Sequence, residues 1–583
     1  MSLRELPGHL ALALLATWPR ASAPLSRLLG HPDADCWNHA WGAWWFARSF
    51  ARGELPWRTD LLMAPDGGVL WFIDPLGALI GVPLVPLLGP AGAYNAALVL
   101  QLTLASWAMA RLASAIGGRG PHVWLASMLL LFGTYVAGEV HSGVSEAVGV
   151  GWSLLALTAG LRAHQGDPRA WLPCGIWLGV AAVGTPYYGL GAGLALVTVW
   201  ASRGTRRWRG PATSLAIAVA LFAPVGVALW ASVKAPDALV GRADSTHALG
   251  LLRHNAVDPR TYLWPHFQSV DHEALGESYF HAAYLGPVTV LLALRGLRRT
   301  ARWGVGAAAL VSLCLALGPW LFVAGDYVEL AGHRVPLPYR LLQAVLPDTA
   351  ITHPLRLAVP GLALMGALAA AGVARWRWGS LAAAAALADV LLLGGAPRPA
   401  AVTPPLDDEV YQFIAEQPPV GPAGSRAIVL DLPAAVGDTM ATSRYLFAQT
   451  VHGRPIPYGP DPRAGNSTLA SVSSLLPLLL VSSSRPEERA WMLPRTVGLA
   501  RLDPQELVDF GLQWVVVHRE LDRGGQGIAV TEDLLTRLFG EPRVFGLHAL
   551  YAVEPGPVVG LNRQEREAIR EAAGLEHWRQ PVR

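Results

Sequence analysis

The chain has 583 residues, of which 52% are hydrophobic and only 15% charged, against about 25% charged in an average soluble domain. With a mean hydropathy of +0.35, this excludes an ordinary soluble enzyme and points to a polytopic membrane protein. A net charge of +3 says little by itself, and no nucleic-acid partner is expected.

Arg4, the apolar run LALALLA and then Ala21-Ser22-Ala23 resemble a signal peptide with a small-residue cleavage site. Pro24 directly after that site disfavours cleavage, so residues 7–19 read as a retained first span. Either way the following segment lies outside the cytoplasm. Further spans of about 20 mostly apolar residues are expected near 92–116, 122–138, 145–162, 170–184, 186–202, 211–233, 280–297, 303–325, 354–374 and 379–395, about eleven in all. The basic loop residues fall on one side if these spans alternate: Arg119, Arg162 and Arg169, the run RGTRRWRG, the run RGLRRTAR, and Arg375 with Arg377. That side is assigned to the cytoplasm.

The alternation leaves a long first outer loop over 20–91. It contains HPDADCWNHAWGAWWFARSF, whose tryptophans suit a membrane interface. The stretch 69–90 holds Asp74 and four prolines, and reads as a re-entrant or interfacial element. Two further outer loops are expected over 234–279 and 326–352. A proline- and alanine-rich linker lies around 396–405.

Beyond the linker the chain becomes soluble in character. RAIVLDLP (426–433) and QWVVVHREL (513–521) read as strands. LDDEVYQFIAEQ and TEDLLTRLFG read as amphipathic helices, and DPQELVDFG opens with an Asp cap and a proline. NRQEREAIREAAGLEHWRQ reads as a charged surface helix. The expected fold is therefore mostly α: a polytopic helical bundle over 1–398, with a small α/β domain over 399–583 outside the cytoplasm.

Two carboxylates, Asp33 and Asp35, open the aromatic segment of the first loop. A carboxylate in an outer cavity can serve as a general base toward an acceptor hydroxyl, or hold a divalent cation such as Mg or Mn. Asp35 also directly precedes a helical pattern that it could cap. GEVHSGVSEAVG (138–149) places Glu139, His141 and Glu146 at the outer ends of two spans, where they either contact substrate or form a polar turn. Glu277 precedes a span, as a second-loop acid or a solvated boundary. His353 and Arg356 in ITHPLRL enter a span from the outer face and suit a lipid phosphate, with Arg340 and Arg260 as alternatives; snorkelling to headgroups is the other reading. Tyr187 and Tyr188 offer aromatic faces to a sugar or to the interface. His452 and His518 read as structural. Cys36, Cys174 and Cys314 have no zinc or disulfide spacing. GGRG (117–120) and DRGGQG (522–527) are short turns, and no nucleotide-phosphate glycine loop is found. Asp389 is the single acid deep in a predicted span.

Asp35, Trp41, Trp44-Trp45, ELPWRTDLLMAPDGGVL and GPAGAYNAALVL together resemble the first part of bacterial polytopic proteins of the GT-C glycosyltransferase superfamily. HSGVSEAVGVGW, THPLRLAVPGLALMGALAAAG, QTVHGRPIPYG and FGLQWVVVHREL resemble recurring segments of the same group. The resemblance implies a polyprenyl-phosphate sugar donor, and a first-loop carboxylate acting as the base or binding a metal. By position Asp35 matches better than Asp33, and a histidine is expected near the place of Asp74. It further implies a bacterial inner membrane, with a sugar acceptor as the second partner. A flippase for a lipid-linked intermediate would instead show internal symmetry and mid-span charges. A non-catalytic scaffold would tolerate neutral substitutions in the first loop.

Overall fold

The computed structural model describes residues 5–18, 25–202, 208–240, 245–264, 280, 282–346, 351–406, 408–419, 427–433, 439–459, 475–482, 501–521 and 527–572. Two compact units emerge. One combines Met1–Ala43, Ile73–Leu229 and Arg242–Pro404, and the other Trp44–Phe72, Trp230–Gly241 and Pro405–Arg583.

The first unit is helical. Every expected span segment contains a helix, yet many of these helices are short. Trp171–Gly184, Pro287–Thr300 and Trp303–Ala316 have 14 residues each, about 21 Å at 1.5 Å per residue, against a hydrocarbon core of about 30 Å. Among the described residues, three helices are long and apolar enough to cross a membrane: Val85–Ile116, Arg209–Lys234 and Pro354–Val373. His122–Leu131 and Thr134–Ser142, bent by 42°, form a fourth if taken as one span. The stretch expected as re-entrant contains a short helix, Pro75–Gly81, and the first turn of Val85–Ile116. That long helix breaks at Gly89 (φ 69°, ψ 173°), where the following Pro90 has no N–H to continue the ladder. The expected span 303–325 stops at Ala316; two tight hairpins follow, pairing Phe322–Val323 with Asp326–Tyr327 and Glu329–Leu330 with His333–Arg334.

Small residues set the closest helix contact. A Cβ on Gly296 would lie 1.9 Å from Leu368 O, and one on Gly372 would lie 2.1 Å from Leu292 O. Pro287–Thr300 and Ala358–Val373 therefore pack backbone on backbone, as membrane helices do with glycine at the contact. Asp389, in Gly379–Leu393, accepts from Tyr284 Oη at 2.6 Å and from Val288 N at 3.2 Å. It thus satisfies an orphan amide at the start of Pro287–Thr300, and a packing role accounts for this buried acid.

The entrance to the first loop is tied down by long-range bonds. Leu28–Leu29 pairs antiparallel with Val402–Thr403, so the expected linker is an ordered strand at this point. Tyr94 Oη donates to Leu29 O at 2.8 Å and Asn95 Oδ1 accepts from Leu29 N at 2.9 Å. Cys36 is buried, its Sγ 3.2 Å from Thr403 Oγ1.

The second unit contains a four-stranded mixed sheet in the order Arg543–Phe545, His548–Ala552, Leu512–His518, Ile428–Leu432. The last two strands are parallel and the other pairs antiparallel. All five residues of Ile428–Leu432 are buried; four are apolar, and the fifth, Asp431, is bonded to His518 and Tyr411. Pro504–Phe510 is bounded as its sequence requires: the Asp503 side chain accepts from Gln505 N, and Gly511 closes it at φ 93°. Residues 44–72 pack in this unit through Gln449 Nε2, which donates to Leu61 O at 2.8 Å, and Met63 N, which donates to Tyr458 O at 2.9 Å.

Candidate functional site

Helical segments distant in sequence bring ionisable groups of the first unit into one buried network. His39 lies one turn into Cys36–Ala51, its amide bonded to Asp35 O at 3.1 Å. Asp74 caps Pro75–Gly81 by accepting from Gly77 N at 2.8 Å. A Cβ at residue 77 would lie 2.0 Å from the Asp74 carboxylate, so glycine is needed to close this cap. Glu146 sits in Ser145–Val148, whose Ser145 Oγ donates to Asp74 Oδ2.

His39 bridges the two acids. Its Nε2 is 3.1 Å from Glu146 Oε2 and its Nδ1 is 4.0 Å from Asp74 Oδ2. Arg356 closes on Glu146 Oε1 at 2.8 Å. The side chains of His39, Asp74 and Glu146 are at most 3% exposed. Burial alone would hold His39 neutral, but the Glu146 carboxylate, helped by Asp74 and Asp35, overrides it and lifts its pKa to about 9. Burial pushes Asp74 up against the opposing charge of His39. With both acids ionised, the imidazolium and guanidinium cancel their charge.

Around Arg356 the network turns aromatic and hydroxylic. The Arg356 guanidinium lies 5.6 Å from the Tyr187 ring centre. Tyr187 Oη accepts from Thr352 N at 2.9 Å and is 3.5 Å from His353 Nδ1.

No protein-family model and no curated protein matches the sequence. Solved structures do match. The arabinofuranosyltransferase AftD from Mycobacteria superimposes with a TM-score of 0.56 at 15% identity, over 97% of this chain and 40% of that one. The Archaeoglobus fulgidus oligosaccharyltransferase in the apo form gives 0.51 at 11% identity, over 91% of this chain and 71% of that one. The same enzyme tethered to an acceptor peptide with the NVT sequon gives 0.52 at 11% identity, over 91% and 70%. This chain shares the fold of the arabinofuranosyltransferase and of the oligosaccharyltransferase. It spans 40% of the arabinofuranosyltransferase's length.

Within that fold, the residues singled out from sequence divide into groups. Asp74, Glu146, Tyr187, His353 and Arg356 converge. Tyr188 stands behind them: it is 1% exposed, hydrogen-bonded to Tyr135 Oη at 2.7 Å and to Ala147 O. It braces the Glu146 segment and has no face open to a sugar. Asp35 and Asp33 are partly buried at the start of Cys36–Ala51. The charge of Asp35 reaches His39, and Asp33 N bonds His31 Nδ1 at 3.2 Å. His141 turns elsewhere: its Nδ1 accepts from Ala401 N at 3.1 Å and its ring packs against His31. Arg340 is exposed, over the Trp320 ring at 4.2 Å, and Arg260 is held by Asp258 at 2.7 Å. Glu277 lies outside the described residues. His39 and Ser145 were not legible from sequence. A signal for His39 existed in its i+4 spacing from Asp35, which puts both on one helix face.

Glu146 already faces two side-chain cations and is not set to take a divalent ion. Arg356 bonds Glu146 Oε1 at 2.8 Å and His39 Nε2 stands 3.1 Å from Oε2, so cationic charge is already supplied by these side chains. Among the described residues, a group of three or more metal-ligating side chains with donor atoms within 4.8 Å of one another occurs once, at His518, Glu520 and His548 in the second unit.

Proposed function

We propose that this chain is an integral membrane glycosyltransferase that moves a sugar from a polyprenyl-phosphate donor to an acceptor at the outer face of a bacterial inner membrane, with its C-terminal domain (399–583) outside the cytoplasm. The observation that carries this reading is the buried Asp74–His39–Glu146–Arg356 network, set in a GT-C fold. The names of the matched structures, an arabinofuranosyltransferase and an oligosaccharyltransferase with an acceptor peptide, support sugar transfer as the class of reaction.

Exposure favours the first-loop carboxylates as the acids that meet the acceptor. Asp74 and Glu146 are buried and committed to partners, so neither reaches an incoming hydroxyl. Asp35 is partly exposed one turn before His39, and is assigned as the base, with Asp33 two residues away as the second carboxylate. The acceptor oxygen forms its bond to the anomeric carbon as its proton passes to Asp35. The bond from that carbon to the phosphate oxygen breaks, and polyprenyl phosphate leaves with the negative charge. Arg356 and His353 hold that phosphate. Tyr187 lines the sugar side.

The test is reconstitution in vesicles with a panel of pentose and hexose polyprenyl phosphates labelled in the sugar. The proposal expects the label to leave the lipid for an acceptor or water with at least one donor. Intact donor throughout the panel, with correctly folded protein, would contradict it.

A further inference from the structure

We propose that His518, Glu520 and His548 form a binding site for one divalent transition-metal ion, zinc foremost, in the second unit. The three donors come from adjoining pieces of the fold. His518 ends the Leu512–His518 strand, His548 begins the neighbouring strand directly opposite it, and Glu520 lies in the turn Arg519–Leu521. The two Nδ1 atoms are 3.0 Å apart, Glu520 Oε2 is 3.5 Å from His548 Nδ1, and Glu520 Oε1 is 3.8 Å from His518 Nδ1. Bonds of about 2.0–2.1 Å to a tetrahedral zinc put neighbouring ligand atoms about 3.3–3.4 Å apart, close to the 3.0 Å between the two imidazole nitrogens and the 3.5 Å from Glu520 Oε2 to His548, so small side-chain shifts complete the site.

The surrounding groups prepare these donors. His518 Nε2 is 2.9 Å from Asp431 Oδ1, and Tyr411 Oη donates to the same oxygen at 2.6 Å. With its Nε2–H given to a carboxylate, His518 turns a lone pair at Nδ1 toward the triangle. Arg444 fixes Glu520 by donating to Oε1 at 2.9 Å, which leaves Oε2 for the ion. Both histidines are at most 2% exposed, while the Glu520 side chain is 23% exposed. One side of the site therefore meets solvent, where water supplies the fourth ligand. An ion here would clamp the ends of two adjacent strands. The site shares no residue with the Asp74–His39–Glu146–Arg356 network, so its test is independent of sugar transfer.

The experiment uses the full chain in detergent, stripped with a chelator and then incubated with zinc chloride alone. Bound metal is counted by mass spectrometry, and thermal unfolding is followed with and without zinc. One ion per chain and a raised melting temperature are expected. His548→Gln and Glu520→Gln should lose the ion, and Asp431→Asn should weaken binding by about 10- to 100-fold. Cobalt in place of zinc should give the visible absorption of a tetrahedral site in the wild type, a readout that stands even if His548→Gln fails to fold. No bound ion in the wild type, or equal binding by folded Glu520→Gln, would show a plain hydrogen-bonded histidine pair and overturn the proposal.

Discussion

His39 Nε2 and Glu146 Oε2 lie 3.1 Å apart in the interior of the first unit, and Arg356 holds the other oxygen of the same carboxylate at 2.8 Å. Two cations thus share one acid, and Asp74 approaches the far side of the imidazole at 4.0 Å. Removing one member of such a group leaves its partners charged in an apolar setting, which is costlier than removing a matched pair.

Arg356→Gln should therefore destabilise the protein by about 3–5 kcal/mol, the usual cost of breaking a buried ion pair from one side. Glu146→Gln together with Arg356→Gln should cost less than the sum of the single changes. Denaturant unfolding in detergent measures this cycle. An Arg356→Gln protein as stable as the wild type would remove the pair from the account.

The His39 contact should weaken in alkali. Its folded pKa of about 9 stands above the ordinary value of 6.5, so the folded state binds the proton more tightly than the unfolded one. The stability from His39 is complete below about pH 6.5 and is lost as the pH rises through about 9. Melting temperatures across this window should fall in the wild type and stay flatter in His39→Gln. Parallel curves would contradict the assignment.

His452 carries the opposite sign. Burial, opposed by Asp431 and assisted by Arg454, lowers its pKa to about 4. Stability from a neutral His452 is complete above about pH 6.5 and is lost as the pH falls toward 4. Hydrogen exchange of the amides in Thr439–His452 should accelerate over that range, and His452→Gln should reduce the dependence.

Asp389 separates the transfer reading from a transport reading. Leucine at this position leaves Tyr284 Oη and Val288 N without their acceptor and should cost about 1–3 kcal/mol. Asp389→Asn, which keeps an acceptor oxygen, should cost less and leave sugar transfer intact. Loss of function in a stable Asp389→Asn protein would favour an ion or proton path through this helix.

Local signals carried much of the architecture. The β-branched runs at 428–432 and 512–518 are strands, and Asp503, Pro504 and Gly511 bound their helix as capping chemistry dictates. Ionisable and aromatic residues at span ends marked Glu146, Tyr187, His353 and Arg356, because such groups are costly near hydrocarbon unless they serve something, while Asp74 stood out inside the proline-rich stretch 69–90. His39 escaped because a polar residue in a tryptophan-rich helix looks like an interfacial feature, and its partners Asp74 and Glu146 lie far away in sequence. Span lengths were overestimated where apolar composition continued beyond a helix end, as after Ala316. The bonding of residues 44–72 to Gln449 and Tyr458 left no trace in composition, since it runs largely through backbone groups that every residue has.

The most direct test is sugar transfer by Asp35→Asn, reconstituted beside the wild type with a donor that the wild type consumes. Asparagine keeps the size of the side chain and removes its ability to take a proton. Abolished transfer at unchanged protein level and melting temperature is the predicted result. Transfer at the wild-type rate would contradict the assignment of Asp35 as the base.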